Sequence, residues 1–325
     1  MSKLNIVQAL NQAIDQEMAQ DPRVLVMGED VGVDGGVFRV TDGLFKKYGP
    51  NRVIDTPLAE SGIIATAAGL AINGMKPVAE MQFIGFAFEA FHQIKLHVSC
   101  FRQRTSGVFT TSMVIRAPAG GGIKALEHHS ESPEAIFTHC QGLKVVYPSN
   151  PYDAKGLLVS AIRDPDPVIF LEPERLYRAF KDEVPDELYA VPLGEAKVVR
   201  EGKDLTIVTY GAMVRLSLEA AEKIAAEGKQ VEVIDLRTIF PMDTDRIIQS
   251  VKKTGRLVVV HEAPKNAGMG AEISARVQEE CLYSLDAPII RVAAMDTPYP
   301  QYALEDYFLP DVNRILRGIK KCLSY

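Results

Sequence analysis

The chain has 325 residues, 47% of them hydrophobic and 24% charged, which is the composition of a globular protein long enough for two domains. Its net charge of −6 and the lack of any Lys- or Arg-rich run argue against nucleic acid or an anionic membrane as a partner. Four scattered cysteines without a CxxC pair argue against a disulfide or zinc framework and favour a reducing compartment.

The first predicted element is an amphipathic helix within residues 1–21, and it carries acidic side chains. It has neither the apolar core of a signal peptide nor the Arg-rich character of a transit peptide. No apolar run in the chain reaches membrane-spanning length. We therefore expect a soluble cytoplasmic protein.

Strand and helix signals alternate along both halves of the chain, which predicts α/β domains with parallel sheets covered on both faces. In the first half the predicted strands are 24–27, 52–55, 77–80, 113–116, 143–146 and 168–171, and the helices are 5–19, 61–72, 86–101, 133–140 and 152–162. In the second half the strands are 205–208, 231–234, 257–260 and 289–292, and the helices are 212–227, 243–253, 270–283 and 312–322. The polar, proline-bearing segment 181–202 predicts a linker between a first domain, 1–180, and a smaller doubly wound domain, 203–325.

The segment DTPLAESGI, residues 55–63, places Glu60 at the start of a long apolar helix. A helix with almost no polar face is expected to be buried, so this carboxylate is expected to be poorly solvated. A buried carboxylate requires a partner, because burying it alone is costly. The alternative is that Glu60 only occupies a helix N-terminus, where the helix dipole favours negative charge.

Glycine-rich turns are the next candidates, because such sheets bind ligands at the carboxyl ends of their strands. The turns 32–36, 117–122 and 268–270 qualify by composition, but none is a dinucleotide fingerprint or a phosphate-binding loop. The turn 117–122 precedes His128 and His129, where imidazole could act as acid, base or hydrogen-bond donor. A solvated polar loop is the alternative.

The aromatic run at 82–91 could be core packing or the wall of a pocket for a flat cofactor ring.

Taken together, several segments resemble the β subunit of thiamine-diphosphate-dependent 2-oxo acid dehydrogenases, the decarboxylating components of large multienzyme complexes. They are DTPLAESGI, QFIGFAFEAF, APAGGG with HHSESPEA, GLKVVYPSNPYDAKGLL and VIDLRTIFP. The resemblance runs essentially from end to end. It implies a transketolase-like architecture, with an N-terminal pyrimidine-binding parallel-sheet domain and a C-terminal domain that lacks cofactor contacts.

The resemblance also implies roles for individual residues. Glu60 matches the glutamate that hydrogen-bonds N1′ of the aminopyrimidine, and Gln82, Phe86 and Phe88 match the wall of the pyrimidine pocket. Related chains often have Tyr at the position of Phe88, so a hydroxyl role there does not carry over. His129 matches the loop histidine that assists reductive acylation of the lipoyl group. The role of His128 stays open.

A structural potassium site, built mainly from main-chain oxygens, is a further implication of the resemblance. The matching positions are Met113, Ala161, Ile162, Asp164 and Asp166. Free carbonyls collect at a helix end, and aspartate supplies hard oxygen donors there. The alternative for the Asp164–Asp166 stretch is a plain turn.

The superfamily's Gly-Asp-Gly…Asn motif, which holds magnesium and diphosphate, is missing from this chain. An α subunit in an α2β2 heterotetramer is therefore expected to bind magnesium and the phosphate half of thiamine diphosphate. The C-terminal domain is expected to support docking of the acyltransferase component, with its lipoyl and subunit-binding domains. A non-catalytic nucleotide-binding or scaffold protein on the same frame is the competing class.

Substrate choice rests on weaker signals. The stretches FLEPERLYR, HEAP and DTPYP resemble branched-chain members of the family. The sequence-based prediction is therefore oxidative decarboxylation of a branched-chain 2-oxo acid, with acyl transfer to a lipoyl domain. A pyruvate dehydrogenase β subunit is the alternative, and an acetoin dehydrogenase β subunit comes third.

Overall fold

The computed structural model describes all 325 residues, and the chain divides into two compact units. The first unit comprises Met1–Ala119 and Ile136–Leu193, and the second comprises Gly120–Ala135 and Gly194–Tyr325. The short segment Gly120–Ala135 therefore belongs with the second unit, whereas the sequence analysis assigned it to the first domain. Its backbone amides bind carboxylates of the second unit, a long-range interaction that local patterning does not reveal.

The first unit contains a parallel sheet flanked by helices. The strands of this unit are β1 (Ser2–Leu4), β2 (Val24–Gly28), β3 (Val53–Asp55), β4 (Lys76–Glu80), β5 (Val114–Ala119), β6 (Lys144–Val146), β7 (Val168–Pro173) and β8 (Asp182–Val184), of which β1 and β8 form a separate antiparallel pair. Its helices are α1 (Ile6–Gln20), α2 (Leu44–Tyr48), α3 (Glu60–Ile72), α4 (Phe91–Gln93), α5 (Phe101–Arg104) and α7 (Pro151–Arg163), and α6 (Glu134–Thr138) contains the boundary between the units. Strands β6, β7, β5, β4, β2 and β3 are neighbours in that order.

The pairing of residues across the parallel sheet shows which side chains lie at the centre of the hydrophobic core of the first unit. Val26 of β2 is paired with Val53 on one side and Val78 on the other, and Val78 is paired in turn with Val114. Strands β2, β5 and β7 are buried along their whole length, as expected for parallel strands covered on both faces. Because these pairings are parallel, the carboxyl ends of β3, β2 and β4 lie at one edge of the sheet.

The second unit contains a smaller sheet in the order β14-β13-β10-β11-β9. The strands of this unit are β9 (Lys197–Arg200), β10 (Leu205–Thr209), β11 (Val231–Asp235), β12 (Thr238–Phe240), β13 (Leu257–Pro264) and β14 (Ile290–Ala294), and all but β12 belong to this sheet. Its helices are α8 (Met213–Ala225), α9 (Thr244–Thr254), α10 (Met269–Cys281), α11 (Glu305–Phe308) and α12 (Val312–Leu323). The pairs β13–β14, β10–β13 and β10–β11 are parallel, and β9 runs antiparallel to β11. The α/β class with parallel sheets, predicted from the alternating pattern, is confirmed.

Two local predictions differ from the structure. The helix predicted at 86–101 is broken into the 3-10 segment Ile84–Phe88, α4, the π-helical segment Ile94–Val98 and α5. The segment 181–202 contains β8, which pairs with β1, and β9, which pairs with β11. Both strands are short and only partly buried, and they lack the apolar run that predicts a strand.

Helix α3 is buried on one face only. Its buried apolar residues are Ile63, Ile64, Ala67, Ala68 and Ala71, whereas Gly62, Ala65, Thr66 and Gly69 are exposed on the single chain. The expectation of complete burial is therefore wrong for the chain alone. Glycine, alanine and threonine are small and nearly neutral, so composition does not distinguish a buried face from an exposed one.

None of the helices combines the length and the apolar composition that a membrane crossing requires.

Candidate active site

Three polar side chains of the first unit lie at the carboxyl ends of three adjacent strands, and two of them, Glu60 and Gln82, were predicted from the sequence. Glu29 directly follows β2, Glu60 begins the helix after β3, and Gln82 lies two residues after β4. Strand β2 lies between β3 and β4, so these segments leave the sheet side by side. Ligands of α/β sheets bind at this edge, which makes it the candidate site.

Glu60 is the first residue of α3, and its side chain is only 9% exposed. The preceding residue, Ala59, gives no side-chain cap, and no hydrogen bond or ion pair within the chain reaches the Glu60 carboxylate. The neighbouring Glu29 is also buried, and its pKa is raised above the usual range by burial, then by the charges of Glu60 and Asp30. These two buried acids lie close enough for their charges to interact, and neither pairs with a cation of the chain, whereas the dipole of α3 favours negative charge on Glu60.

An aromatic segment, Phe83–Phe91, follows β4, the strand adjacent to β2. Phe86 is half-buried and lies 5.8 Å from Phe83, centroid to centroid. The ring of Phe88 is 40% exposed and is nearly parallel to that of Phe137, with centroids 6.4 Å apart. The Gln82 side-chain amide donates a hydrogen bond of 3.1 Å to Asp30.

This part of the first unit fits an aromatic, nitrogen-containing ring such as an aminopyrimidine. Glu60 supplies a hydrogen-bond acceptor that the chain itself leaves unused, and an exposed aromatic ring supplies a flat apolar surface. The structure therefore brings Glu60, Gln82, Phe86 and Phe88 to one edge of one sheet.

His129 lies in the second unit, in the loop that follows β5. It ends the 3-10 segment Glu127–His129 and is half-buried, whereas the side chain of the adjacent His128 is 71% exposed. The loop is closed at its base by a hydrogen bond of 2.8 Å from the Gly120 amide to the Glu131 carbonyl. This burial distinguishes His129 from His128, a difference that the adjacent sequence positions did not provide.

The five residues of the predicted potassium site lie around the end of α7. The Met113 carbonyl accepts a hydrogen bond from the Val168 amide, and the Ala161 carbonyl accepts one from the Asp164 amide. Ile162 is buried near the end of the same helix. The Asp164 and Asp166 carboxylates already bind cations of the chain.

Asp164 forms an ion pair of 2.5 Å with Lys144, and Asp166 forms one of 2.5 Å with Arg102. A potassium ion here would therefore rely on main-chain oxygens, as the sequence analysis expected. No group of three or more His, Cys, Asp or Glu side chains is arranged to hold a metal ion.

Sequence reasoning missed Glu29, although the same signal that selected Glu60 was present. Both are carboxylates that follow a strand of the first sheet by a few residues. It also missed three buried carboxyl groups of the second unit, Glu134, Glu262 and Glu305. Their partners are distant in the sequence, so no local pattern indicates them.

Two protein families match this chain. "Transketolase, pyrimidine binding domain" matches residues 2–179, and "Transketolase, C-terminal domain" matches residues 194–315. A solved structure described as a split gene transketolase, inactive beta4 tetramer, superposes with a TM-score of 0.81 at 24% identity, covering 99% of both chains. At that identity the likeness shows the fold alone, and it confirms the transketolase-like architecture.

The chain is also similar to bacterial proteins named pyruvate dehydrogenase E1 component subunit beta. It is 52% identical to the protein from Acholeplasma laidlawii, over 99% of this chain and 98% of the relative. It is 51% identical to the protein from Staphylococcus aureus and 50% identical to that from Staphylococcus epidermidis, over the full length of both chains.

Proposed function

The chain belongs to the thiamine-diphosphate-dependent transketolase-like family, among the β subunits of 2-oxo acid dehydrogenases, and we propose that it is the β subunit of a pyruvate dehydrogenase. Relatives carrying that name are 50–52% identical over nearly the whole chain. The branched-chain substrate predicted from sequence stretches is not confirmed, and the relatives favour its alternative. Small pockets select poorly between such substrates, because one methylene changes binding by only about 1–3 kcal/mol.

The buried, unpartnered carboxylate of Glu60 is the observation that supports a catalytic role for this chain. We infer that Glu60, Gln82, Phe86 and Phe88 hold the aminopyrimidine of thiamine diphosphate. When bound, this cofactor supplies a carbon nucleophile that adds to the oxo group and accepts the electrons released with carbon dioxide. Glu60 would hold a proton at the pyrimidine N1′, and the low local dielectric would strengthen that hydrogen bond.

The remaining roles of this proposal follow the family. His129 would donate a hydrogen bond or proton during acyl transfer to the lipoyl group. An α subunit, in an α2β2 heterotetramer, would bind magnesium and the diphosphate. The acyltransferase component would dock through its lipoyl and subunit-binding domains, and potassium would bind the carbonyls around the end of α7.

We further propose a cytoplasmic location and a division into a pyrimidine-binding domain, 1–180, a connecting segment, 181–202, and a C-terminal domain, 203–325.

The test is to co-express the chain with its α subunit and to compare decarboxylation of pyruvate and of 2-oxoisovalerate with cleavage of acetoin, with thiamine diphosphate and magnesium present. We expect kcat/KM for pyruvate to exceed that for the other two by at least about tenfold, which corresponds to about 1.4 kcal/mol. The α subunit alone serves as the control and should be inactive. Preference for 2-oxoisovalerate would restore the branched-chain hypothesis, and preference for acetoin would favour the third.

A further inference from the structure

The loop that carries His129 is held at its start by a row of backbone amides. Gly120, Gly122 and Lys124 have positive φ angles of 86°, 90° and 61°. A non-glycine residue such as Lys124 adopts this conformation only where its surroundings impose it. Successive amides in such a conformation point to one side and form a concavity that binds an anion.

Two buried carboxylates of the second unit occupy that concavity. The Gly121 amide donates to the Glu262 carboxylate. The Gly122 amide donates to Glu305 at 3.1 Å, and the Lys124 amide donates to both of its oxygens at 3.1 Å. Glu262 and Glu305 are 5% and 1% exposed, and hydrogen bonds to a carboxylate are roughly twice as strong as neutral ones.

Tyr299 supports this arrangement from the side. Its hydroxyl donates a hydrogen bond of 2.7 Å to Glu305, so that carboxylate accepts three different donors. A Cβ atom at Gly121 would overlap the Tyr299 hydroxyl, so the close approach of loop and ring requires glycine at this position.

The other end of the loop has its own anchor. Glu134, just after the loop, is wholly buried and accepts a hydrogen bond of 2.7 Å from the Tyr210 hydroxyl. The Tyr210 ring is parallel to that of His261, with 6.4 Å between centroids. Buried side chains of the second unit thus hold both ends of a loop whose middle is partly exposed.

We propose that Glu262 and Glu305 are positioning residues that hold the His129 loop in the conformation needed for acyl transfer to the lipoyl group. The proposal rests on the role proposed above for His129. The two carboxylates touch neither substrate nor cofactor in this role, because they act through the backbone of residues 121–124. A displacement of about 1 Å can lower a rate by about a hundredfold, so loosening this anchor is expected to affect transfer strongly.

The test uses the enzyme assembled with its α subunit and the variant Glu305→Gln, which turns one acceptor oxygen into a donor. The matched control is Asp306→Asn, which removes only the exposed ion pair with the Lys124 ammonium group. Amide hydrogen exchange of peptides covering 120–131 is measured together with two activities, dye reduction and transfer to a lipoyl domain. We expect exchange about tenfold faster and transfer about tenfold slower in Glu305→Gln, with dye reduction and the control unchanged within about twofold.

The double variant His129→Ala/Glu305→Gln sharpens the result. Transfer by the double variant should be no slower than that of His129→Ala alone, because both changes remove the same contribution. If Glu305→Gln does not fold, Tyr299→Phe removes one donor to Glu305 and should show the same changes in weaker form.

Exchange of the loop as slow in Glu305→Gln as in Asp306→Asn would overturn the proposal. The proposal would also be overturned if Glu305→Gln showed faster exchange of the loop but normal transfer to the lipoyl domain, while His129→Ala impaired that transfer. Normal transfer by His129→Ala would instead refute the role of His129, and the exchange rates alone would then decide whether the carboxylates hold the loop.

Discussion

Two groups of buried acids lie on neighbouring strands of the first sheet, and they differ in their partners. In the first group, Arg116 of β5 is 1% exposed and binds Glu172 through two hydrogen bonds of 2.6 and 2.7 Å. The same guanidinium donates to Glu80, and Tyr177 donates to Glu172. In the second group, at the ends of β2 and β3, Glu29 and Glu60 have no cation at all.

The contrast separates structural acids from acids available for chemistry. The fold supplies Glu80 and Glu172 with a forked cation whose geometry matches a carboxylate, so nothing is left for a ligand. At Glu60 the fold supplies burial without a partner, which is unfavourable for the chain alone. Such an imbalance is typical of a binding site, because the ligand then completes the hydrogen bonding.

The largest expected effect comes from breaking the second group. Glu60→Gln keeps the size of the side chain but removes the acid that would hold a proton at N1′. Removing a group that transfers a proton commonly lowers a rate by about 10²–10⁴-fold. We expect kcat for pyruvate in the assembled enzyme to fall within that range, measured with a dye acceptor.

Stability should respond to Glu60→Gln in the opposite direction from activity. Loss of an unpaired buried charge leaves the free energy of unfolding unchanged or higher, measured by urea denaturation of the chain. Glu219→Gln on α8, where the exposed glutamate pairs with Lys223, is the control for both measurements. Full activity of Glu60→Gln would contradict the proton-holding role.

Breaking the first group should affect folding instead. Arg116→Met leaves Glu80 and Glu172 buried without a cation, and removing one partner of a buried pair costs about 3–5 kcal/mol of stability. Urea denaturation should show this loss. The control, Arg102→Met, removes an exposed pair with Asp166 and should cost less than about 1 kcal/mol. Equal losses for the two variants would show that burial of Arg116 adds nothing.

The difference between the two groups also explains what the sequence could predict. Strands β2, β4, β5 and β7 each contain a short apolar run, so their positions followed from local pattern. Glu60 was found because a carboxylate beside an apolar run is locally visible.

Other features depend on long-range contacts and were not predictable. Arg116, Glu80 and Glu172 lie 36 and 56 residues apart, so their pairing depends on the order of strands in the sheet. The break in the predicted helix 86–101 accompanies ring contacts of Phe88 and Phe91 with Phe137, which lies far away in sequence. The transketolase-like family was nevertheless recognised correctly, since that resemblance spans the chain.

Glu134 in the second unit is a third case, with neither a cation nor an exposed surface, and it gives the smallest expected effect. Burial raises its pKa from 4.5 to about 7. The folded chain therefore binds this proton more tightly than the unfolded chain, and its contribution to stability falls as pH rises from about 4.5 to 7. His261, whose pKa burial lowers from 6.5 to about 4, has the opposite dependence and masks this fall in part of the range.

Comparing Glu134→Gln with the unmodified chain cancels the His261 contribution. We expect urea denaturation to give equal stabilities near pH 4.5 and an advantage of about 3 kcal/mol for the variant at pH 8. A difference that does not change with pH would mean that burial does not raise the pKa of Glu134 in the folded chain.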